Sequence, residues 1–384
     1  MKKIIPKIFL LLFILTGACY LNSKAQDSSR LRISLLTCTP GEELYSIFGH
    51  SAIRVIDSNS VTDIVYNYGT FNFDDEGFYL KFIRGKLMYY ISAAYFSDFK
   101  SEYQSSNRGM TEQVLKLSGE EKINIRHALH ENLEEENKYY QYDFFLDNCT
   151  TRLRDLIIKS KTPQPILPPV MPVNTTFREA IHAYLDKGGQ PWSKLGIDIL
   201  LGAPTDGIMT TAQQQFLPDN LMKALDSVTN VPIVERGSNL YTLLTDTNKR
   251  NIFTPFIFFS LLLVLYLVLV FAGNRKYSTL ISSLDGLLFF STGLLGIILI
   301  FMWFGTDHSM TKNNYNLLWA LPSHFICSFF INSRKSWARK YFLFTAISLV
   351  LVLIAWFFLP QQMNNALIPF VLLLLYRSAS HSLK

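Results

Sequence analysis

Apolar positions along this chain follow three different patterns. Residues 8–15 form a short continuous run behind Lys2, Lys3 and Lys7. From residue 26 to about residue 248 apolar positions are interrupted, alternating in some stretches and recurring every three or four in others. Beyond residue 249 they merge into long runs. Alternation marks half-buried strands, a three-to-four spacing marks helices, and runs of about 20 residues suit a bilayer core of about 30 Å.

In the middle region, residues 31–38 alternate loosely and are rich in strand formers, and Pro40-Gly41 marks a turn. Ser51-Ala52-Ile53-Arg54-Val55 reads as a second strand. Residues 61–68, after the turn Ser58-Asn59-Ser60, read as its antiparallel neighbour, and residues 111–117 as another strand. Ser118-Gly119-Glu120-Glu121 predicts a helix to about residue 135, with Ser118 as cap and Glu121 completing a capping box. A second helix is predicted at Cys149, where Asp147, Asn148 and Thr150 favour a helix start and Leu153, Leu156 and Ile157 supply its apolar side. Residues 161–175 hold five prolines and read as an extended connector, 176–185 as a helix, and 192–220 as a Gly/Pro-punctuated segment packed over the domain.

The apolar runs of the last third are 252–271, 286–304, 317–331, 341–360 and 366–376. The third is broken by Pro322, Ser323 and His324, and the fifth is the shortest. Five runs in so short a stretch predict an all-α membrane domain of about five transmembrane helices at 249–384. Residues 1–25 read as a signal peptide, cleaved after Ser23-Lys24-Ala25. Cys19 could instead take a lipid, but it lacks the usual leucine three residues earlier.

Charge adds an orientation. Residues 249–384 carry 11 Lys and Arg against two acids, whereas residues 26–248 carry 21 against 28. The basic excess therefore belongs to the membrane end and does not signal nucleic acid. Arg275/Lys276, Arg334/Lys335/Arg339/Lys340 and Arg377/Lys384 occupy alternate connections, which the positive-inside rule assigns to the cytoplasm. Residues 26–248, 305–316 and 361–365 then face outside.

Candidate chemistry centres on Cys149. A thiol at a helix N-terminus meets the positive end of the helix dipole, which favours thiolate; a buried structural cysteine is the other reading. His50, in Phe48-Gly49-His50-Ser51, heads the second strand and is the candidate base, with Gly49 permitting close backbone approach. Asn67, in Tyr66-Asn67-Tyr68-Gly69, ends the paired strand and is the candidate orienter of the imidazole, or simply a turn residue. Cys38 is the other cysteine of the exported region. A disulfide to Cys149 would mask the nucleophile, so a free thiol is expected.

The order of histidine strand, second strand with a polar end, then Asn-Cys at a helix start resembles the circularly permuted branch of the NlpC-type papain-like fold. Lecithin–retinol acyltransferase-like enzymes belong to that branch. Further segments extend the resemblance: Leu36-Thr37-Cys38-Thr39-Pro40-Gly41, Tyr66-Asn67-Tyr68-Gly69-Thr70-Phe71, Asp147-Asn148-Cys149-Thr150-Thr151-Arg152, Gly196-Ile197-Asp198 with Leu201-Gly202, Phe216-Leu217-Pro218-Asp219, and Thr306-Asp307-His308 with Asn314 and Asn316-Leu317-Leu318-Trp319. Together with the multi-helix tail they are similar to the Lnb-type lipoprotein N-acyltransferases. The resemblance implies an α+β, permuted NlpC/papain-like periplasmic domain on a bacterial inner-membrane anchor. It also implies transfer of an acyl chain from a phospholipid donor to the N-terminal amine of a diacylglyceryl-cysteine lipoprotein, with Cys149 as nucleophile and His50 as base. No metal or cofactor is expected. Asp307, His308 and Lys312, in the outer loop 305–316, are expected to meet substrate at headgroup depth. Rival readings are a cell-wall peptidase or amidase, a phospholipase, and a non-catalytic tethered binding module.

Overall fold

The computed structural model describes residues 30–241, 252–272 and 277–383. The expected signal peptide with Cys19, the boundary at 248/249, Arg275/Lys276 and Lys384 lie outside the described residues. The sheet region contains β1 (Leu31–Cys38), β2 (His50–Asp57), β3 (Thr62–Thr70), β4 (Met88–Tyr95), β5 (Met110–Leu115), β6 (Tyr139–Gln141) and β7 (Val234–Tyr241). They form one antiparallel sheet in the order β6-β4-β3-β2-β1-β5-β7. Its helices are α1 (Phe78–Ile83), α2 (Phe96–Ser105), α3 (Gly119–Leu133), α4 (Cys149–Ser160), α5 (Phe177–Lys187), α6 (Pro191–Leu200) and α7 (Pro218–Asp226).

Both faces of the central strands are covered, which explains why residues 31–38 alternate only loosely. Ile33, Leu35, Ile53 and Val55 pack with Ile125 and Leu129 of α3, Leu153 and Ile157 of α4, and Leu221 of α7. Leu36, Cys38, Ala52 and Val65 turn to the other face, against Phe99 and Tyr103 of α2. The capping box at Ser118 forms as expected: Ser118 Oγ accepts from the Glu121 amide at 3.2 Å, and the Ser118 amide donates to Glu121 at 2.7 Å. Strands β4, β6 and β7 and helices α1 and α2 carry no strong pattern in the sequence, and the structure supplies them.

The last third contains α8 (Pro255–Phe271), α9 (Ser278–Phe304), α10 (Ser323–Cys327), α11 (Ser336–Ala355) and α12 (Ile368–Ser382). Among the described residues two helices, α9 and α11, are long and apolar enough to cross a membrane. With 17 and 15 residues, α8 and α12 reach only about 25 and 22 Å at 1.5 Å per residue. The run 317–331 is not one helix. Pro322 lies between a 3₁₀ turn and the short α10, and the chain bends there. The broken segment lies along α9 because α9 has glycines where it passes: a Cβ at Gly296 would strike Ala320, and one at Gly293 would strike Phe325.

One cluster of buried ionisable groups in this helical region is paired within itself. Asp285 of α9 takes a two-pronged bond from Arg377 of α12, both arms 2.7 Å, a bond from His381 at 2.9 Å, and the Tyr266 hydroxyl of α8. One buried carboxylate thus ties three helices, as an apolar surrounding requires of any charge it encloses.

Candidate active site

The cysteine is set up by its neighbour. Asn148 is the N-cap of α4, its side-chain oxygen accepting from the amides of Thr150 at 2.8 Å and Thr151 at 2.9 Å. The Thr151 hydroxyl accepts from the Asn148 amide in return, at 2.8 Å. The carboxamide NH₂ donates to Phe144 and Phe216 carbonyls at 2.7 and 2.9 Å, so the buried Asn148 is held on both sides. Asp147, another candidate cap, is instead paired with Arg152 at 2.7 Å. The cap thus takes the amides of Thr150 and Thr151 and leaves the Cys149 N–H, at the positive end of the helix.

The strands bring the histidine to this point. Cys38 pairs with His50 across β1 and β2, and Ile53 pairs with Tyr66 across β2 and β3. Gly49, with φ of +80°, makes the entry into β2; a Cβ there would lie 2.7 Å from the Cys38 carbonyl oxygen. Gly69, at φ +88°, takes the left-handed turn that ends the regular pairing of β3 beside Cys149, a conformation that favours glycine. His50 Nε2 meets Asn67 Oδ1 at 3.2 Å, and the Cys149 thiol is the neighbour whose charge acts on the imidazole. Since an amide oxygen only accepts, Nε2 carries the hydrogen in the neutral ring, and Nδ1 is left to serve the thiol.

Electrostatics follow from these contacts. Burial pushes the Cys149 thiol up, but the charge and hydrogen bond of His50, the Ser51 amide and the Thr150 hydroxyl outweigh it and bring it down to about 7. Burial pulls His50 down, and the neighbouring Cys149 charge with bonds to Cys149 and Asn67 outweighs it, leaving His50 raised. Cys38 is unbridged and fully buried, and burial pushes its thiol up to about 12. Two thiols in one domain are therefore held in opposite states.

Two cavities lie near the site, one lined by His50 and Asn67 and the other reached through Phe48 and Phe144; Cys149 lines neither. The first, of about 310 Å³, has a mixed lining, with His50, Asn67, Asp98 and Glu102 beside Phe99 and Tyr103. The other, about 300 Å³, is walled by Phe48, Phe82, Phe144, Ile181, Ile197 and Met310 and is apolar. Phe48 lies two residues before His50, and its ring stands 4.7 Å from that of Phe144 in the segment leading to Cys149.

The outer loop closes the apolar cavity. His308 lines it and donates from Nε2 to the carbonyls of Phe82 and Ile83 at 3.2 and 3.1 Å. The Asp307 amide donates to Arg84 O at 2.9 Å, and its carboxylate lies 4.0 Å from Lys86. Ser309 Oγ donates to Asp143 at 2.7 Å, reaching the segment before Cys149. Lys312 does not line either cavity; its backbone packs against Gly202. The structure thus brings Cys149, His50 and Asn67 together, places His308 at the apolar cavity, and separates Asp307 and Lys312 from both cavities.

Several contributors were not singled out as site residues in the sequence. The Ser51 amide has no side-chain signal at all. Arg178 and Asp198 join helices α5 and α6 at the seam to the helical region, where Asn316 and Asn364 also bond Asp198. The motif around Gly196-Ile197-Asp198 marked that seam, but its partners are remote in sequence.

Residues 21–178 match the family model described as the Lnb N-terminal periplasmic domain, and residues 247–384 match the one described as the Lnb transmembrane domain. No curated protein and no solved structure matches the chain. Two models of one family, in the order of the sheet region and the helical region and separated by residues 179–246, account for most of the sequence. The chain belongs to the Lnb family and is a membrane protein with a periplasmic domain.

Proposed function

We propose that this protein is a lipoprotein N-acyltransferase of the bacterial inner membrane, working through a thioester on Cys149. The observation that carries the reading is the Cys149–His50–Asn67 contact beside an apolar cavity, in a family whose domains point to lipoprotein N-acylation. The periplasmic domain is read as a permuted NlpC/papain-like fold, with Asn67 as the residue that positions His50. The helical region is read as five crossings, with 317–331 as a broken one.

In the first half-reaction the Cys149 thiolate attacks the carbonyl carbon of a phospholipid ester. The C–O bond breaks, and His50 in its protonated form gives its proton to the departing lysolipid oxygen. The Cys149 N–H is the donor proposed for the tetrahedral oxyanion, a contribution of about 2.7–4 kcal/mol per donor. In the second half-reaction the α-amine of the diacylated lipoprotein attacks the thioester carbon. His50 takes its proton, the C–S bond breaks, and the thiolate returns as the amide forms. Phe48, Phe144 and Met310 offer the acyl chain an apolar chamber, and the cleft lined by His50 and Asn67 is open to the amine. His308 is read as a wall of the acyl chamber, and Asp307 as the residue that holds the loop in place. Lys312 remains a candidate for headgroup phosphate, from outside both cavities.

The test is incubation in membranes with phospholipid and a diacylated lipopeptide, followed by mass measurement. Acyl transfer supports the proposal; peptide fragments, lysolipid alone or no change would each replace it. His50→Ala is expected to reduce transfer about 10²–10⁴-fold, and Asn67→Ala less, because Asn67 only fixes the ring. His50→Ala also removes the cation beside Cys149, so half-maximal thiol alkylation should move from near pH 7 towards higher pH. An unmoved alkylation profile would detach His50 from the cysteine.

A further inference from the structure

Helix α1 supplies Phe82 to the apolar cavity but no group to the chemical steps above, yet it exposes large apolar side chains. Tyr79 is 76% exposed, Leu80 61%, Phe82 50% and Ile83 46%, and Phe73 just before the helix is 64% exposed. Single exposed apolar residues are ordinary, but five in eleven consecutive positions form a patch that calls for a partner. We propose that α1 and its flanking turns are a second membrane contact, dipping into the periplasm-facing leaflet of the bilayer that holds the helical region.

Three observations select lipid as the occupant. First, the height of α1 is fixed relative to the membrane helices. Its C-terminal carbonyls at Phe82 and Ile83 accept from His308, and Arg84 O accepts from the Asp307 amide. Those two loop residues follow α9 almost directly, and Phe304 at the end of α9 is itself 75% exposed. The patch is therefore continuous with the lipid-facing end of a spanning helix. Second, the basic groups Lys81, Arg84 and Lys86 lie among the aromatic and aliphatic side chains of the helix, as in an interfacial segment, while Asp74, Asp75 and Glu76 gather in the turn before it, Asp75 3.9 Å from Lys81. Third, Phe82 is both half exposed and part of the wall of the apolar cavity. An acyl chain could then pass from the leaflet along Phe82 into the cavity without crossing water. This last role rests on the acyl-transfer reading, whereas immersion of α1 does not.

The experiment uses the full chain in lipid nanodiscs, with Cys149→Ala to remove the reactive thiol and Leu80→Cys carrying an environment-sensitive NBD probe. Val61→Cys, 91% exposed in the turn between β2 and β3, is the aqueous control. Label taken up by the Cys149→Ala parent is subtracted, and Tyr79→Cys repeats the measurement one residue away. Immersion predicts blue-shifted emission at positions 79 and 80, quenching by doxyl-labelled lipids and protection from iodide, with the reverse at Val61. Probes at 79 and 80 as open to iodide as the one at Val61 would overturn the proposal. So would probes that respond only when diacylated lipopeptide is added, which would make the patch an acceptor surface. The readout needs no turnover, so it stands or falls separately from the chemistry.

Discussion

Cys149→Ala will abolish acyl transfer while the domain stays folded. In a serine protease, loss of the nucleophile costs on the order of 10⁶ in rate. Its loss from the core is small, since sulfur is replaced by nothing larger than a missing atom at the end of a capped helix. Asn148 still holds the Thr150 and Thr151 amides in the variant, so the helix start does not depend on the thiol. The same thiol should be visible by its pH response. Because its pKa is lowered to about 7, thiolate is lost as the pH falls through 7 and is nearly complete a unit or two above. Iodoacetamide alkylation of wild-type protein should follow that curve and map to Cys149. Cys38, buried and raised to about 12, should stay unlabelled throughout. With phospholipid present, wild-type protein should gain one hydroxylamine-labile acyl group on the peptide containing Cys149. Transfer activity that survives Cys149→Ala would end the thioester reading.

What could be read in the sequence is what depends on neighbours in the chain. The box from Ser118 to Glu121 and the Asn148 cap are contacts over three residues, so residue identity alone predicts them. His50 and Asn67 are readable as a pair because two strands joined by a short turn must lie side by side, with their polar residues towards one end of the sheet. Asp147 was equally plausible as a cap. Its choice of Arg152 depends on a ring as well: that guanidinium lies 3.5 Å over Tyr140, which arrives on β6. Strand β6 has three residues and shows no periodicity of its own, so it exists only because β4 offers it an edge.

The outer loop shows the same limit from the other side. Asp307, His308 and Lys312 were read as groups waiting for substrate, since a polar cluster at a membrane surface gives no hint of protein partners. In the structure the rest of the loop is tied to the protein, while the part these three side chains play towards substrate stays a proposal. Gly202 and Ala203 amides donate to Met310 and Asn313 carbonyls, and Asn314 donates to Ile199 and Leu200 carbonyls. A broken third span was foreshadowed by Pro322, but its antiparallel course along α9 depends on Gly293 and Gly296, thirty residues earlier.

Arg178→Ala is expected to have the largest effect on stability, about 3–5 kcal/mol. Arg178 is fully buried and serves two carboxylates at once, Asp198 at 2.8 Å and Asp206 at 2.9 Å. It also donates to the Leu201 and Gly202 carbonyls and to Thr205. Removing it leaves two acids and two carbonyls enclosed without their cation, and His182, 2.8 Å from Asp198, can answer only one of them. Burial pushes the Asp198 carboxyl up, but His182 and Arg178 outweigh it and hold it below the usual carboxylate range. A lowered folded-state pKa stabilises above the unfolded value and is lost as the pH falls through the folded one, so wild-type protein should lose this contribution only in acid. In Arg178→Ala a part of that acid-sensitive contribution should already be missing at neutral pH, while His182 beside Asp198 keeps the rest. Because Asp198 also accepts from Asn316 and Asn364, the damage should spread to the seam, with faster hydrogen exchange at 198–206 and 310–316. Arg178→Lys should recover little, since one ammonium cannot span both carboxylates as the guanidinium fork does. The decisive comparison is Arg178→Met alone against Arg178→Met with Asp198→Asn and Asp206→Asn. If charge is the cause, neutralising the acids recovers part of the unfolding temperature lost by the single variant. If the triple variant is no better, the site is held by shape, and the ion pairs are incidental to it.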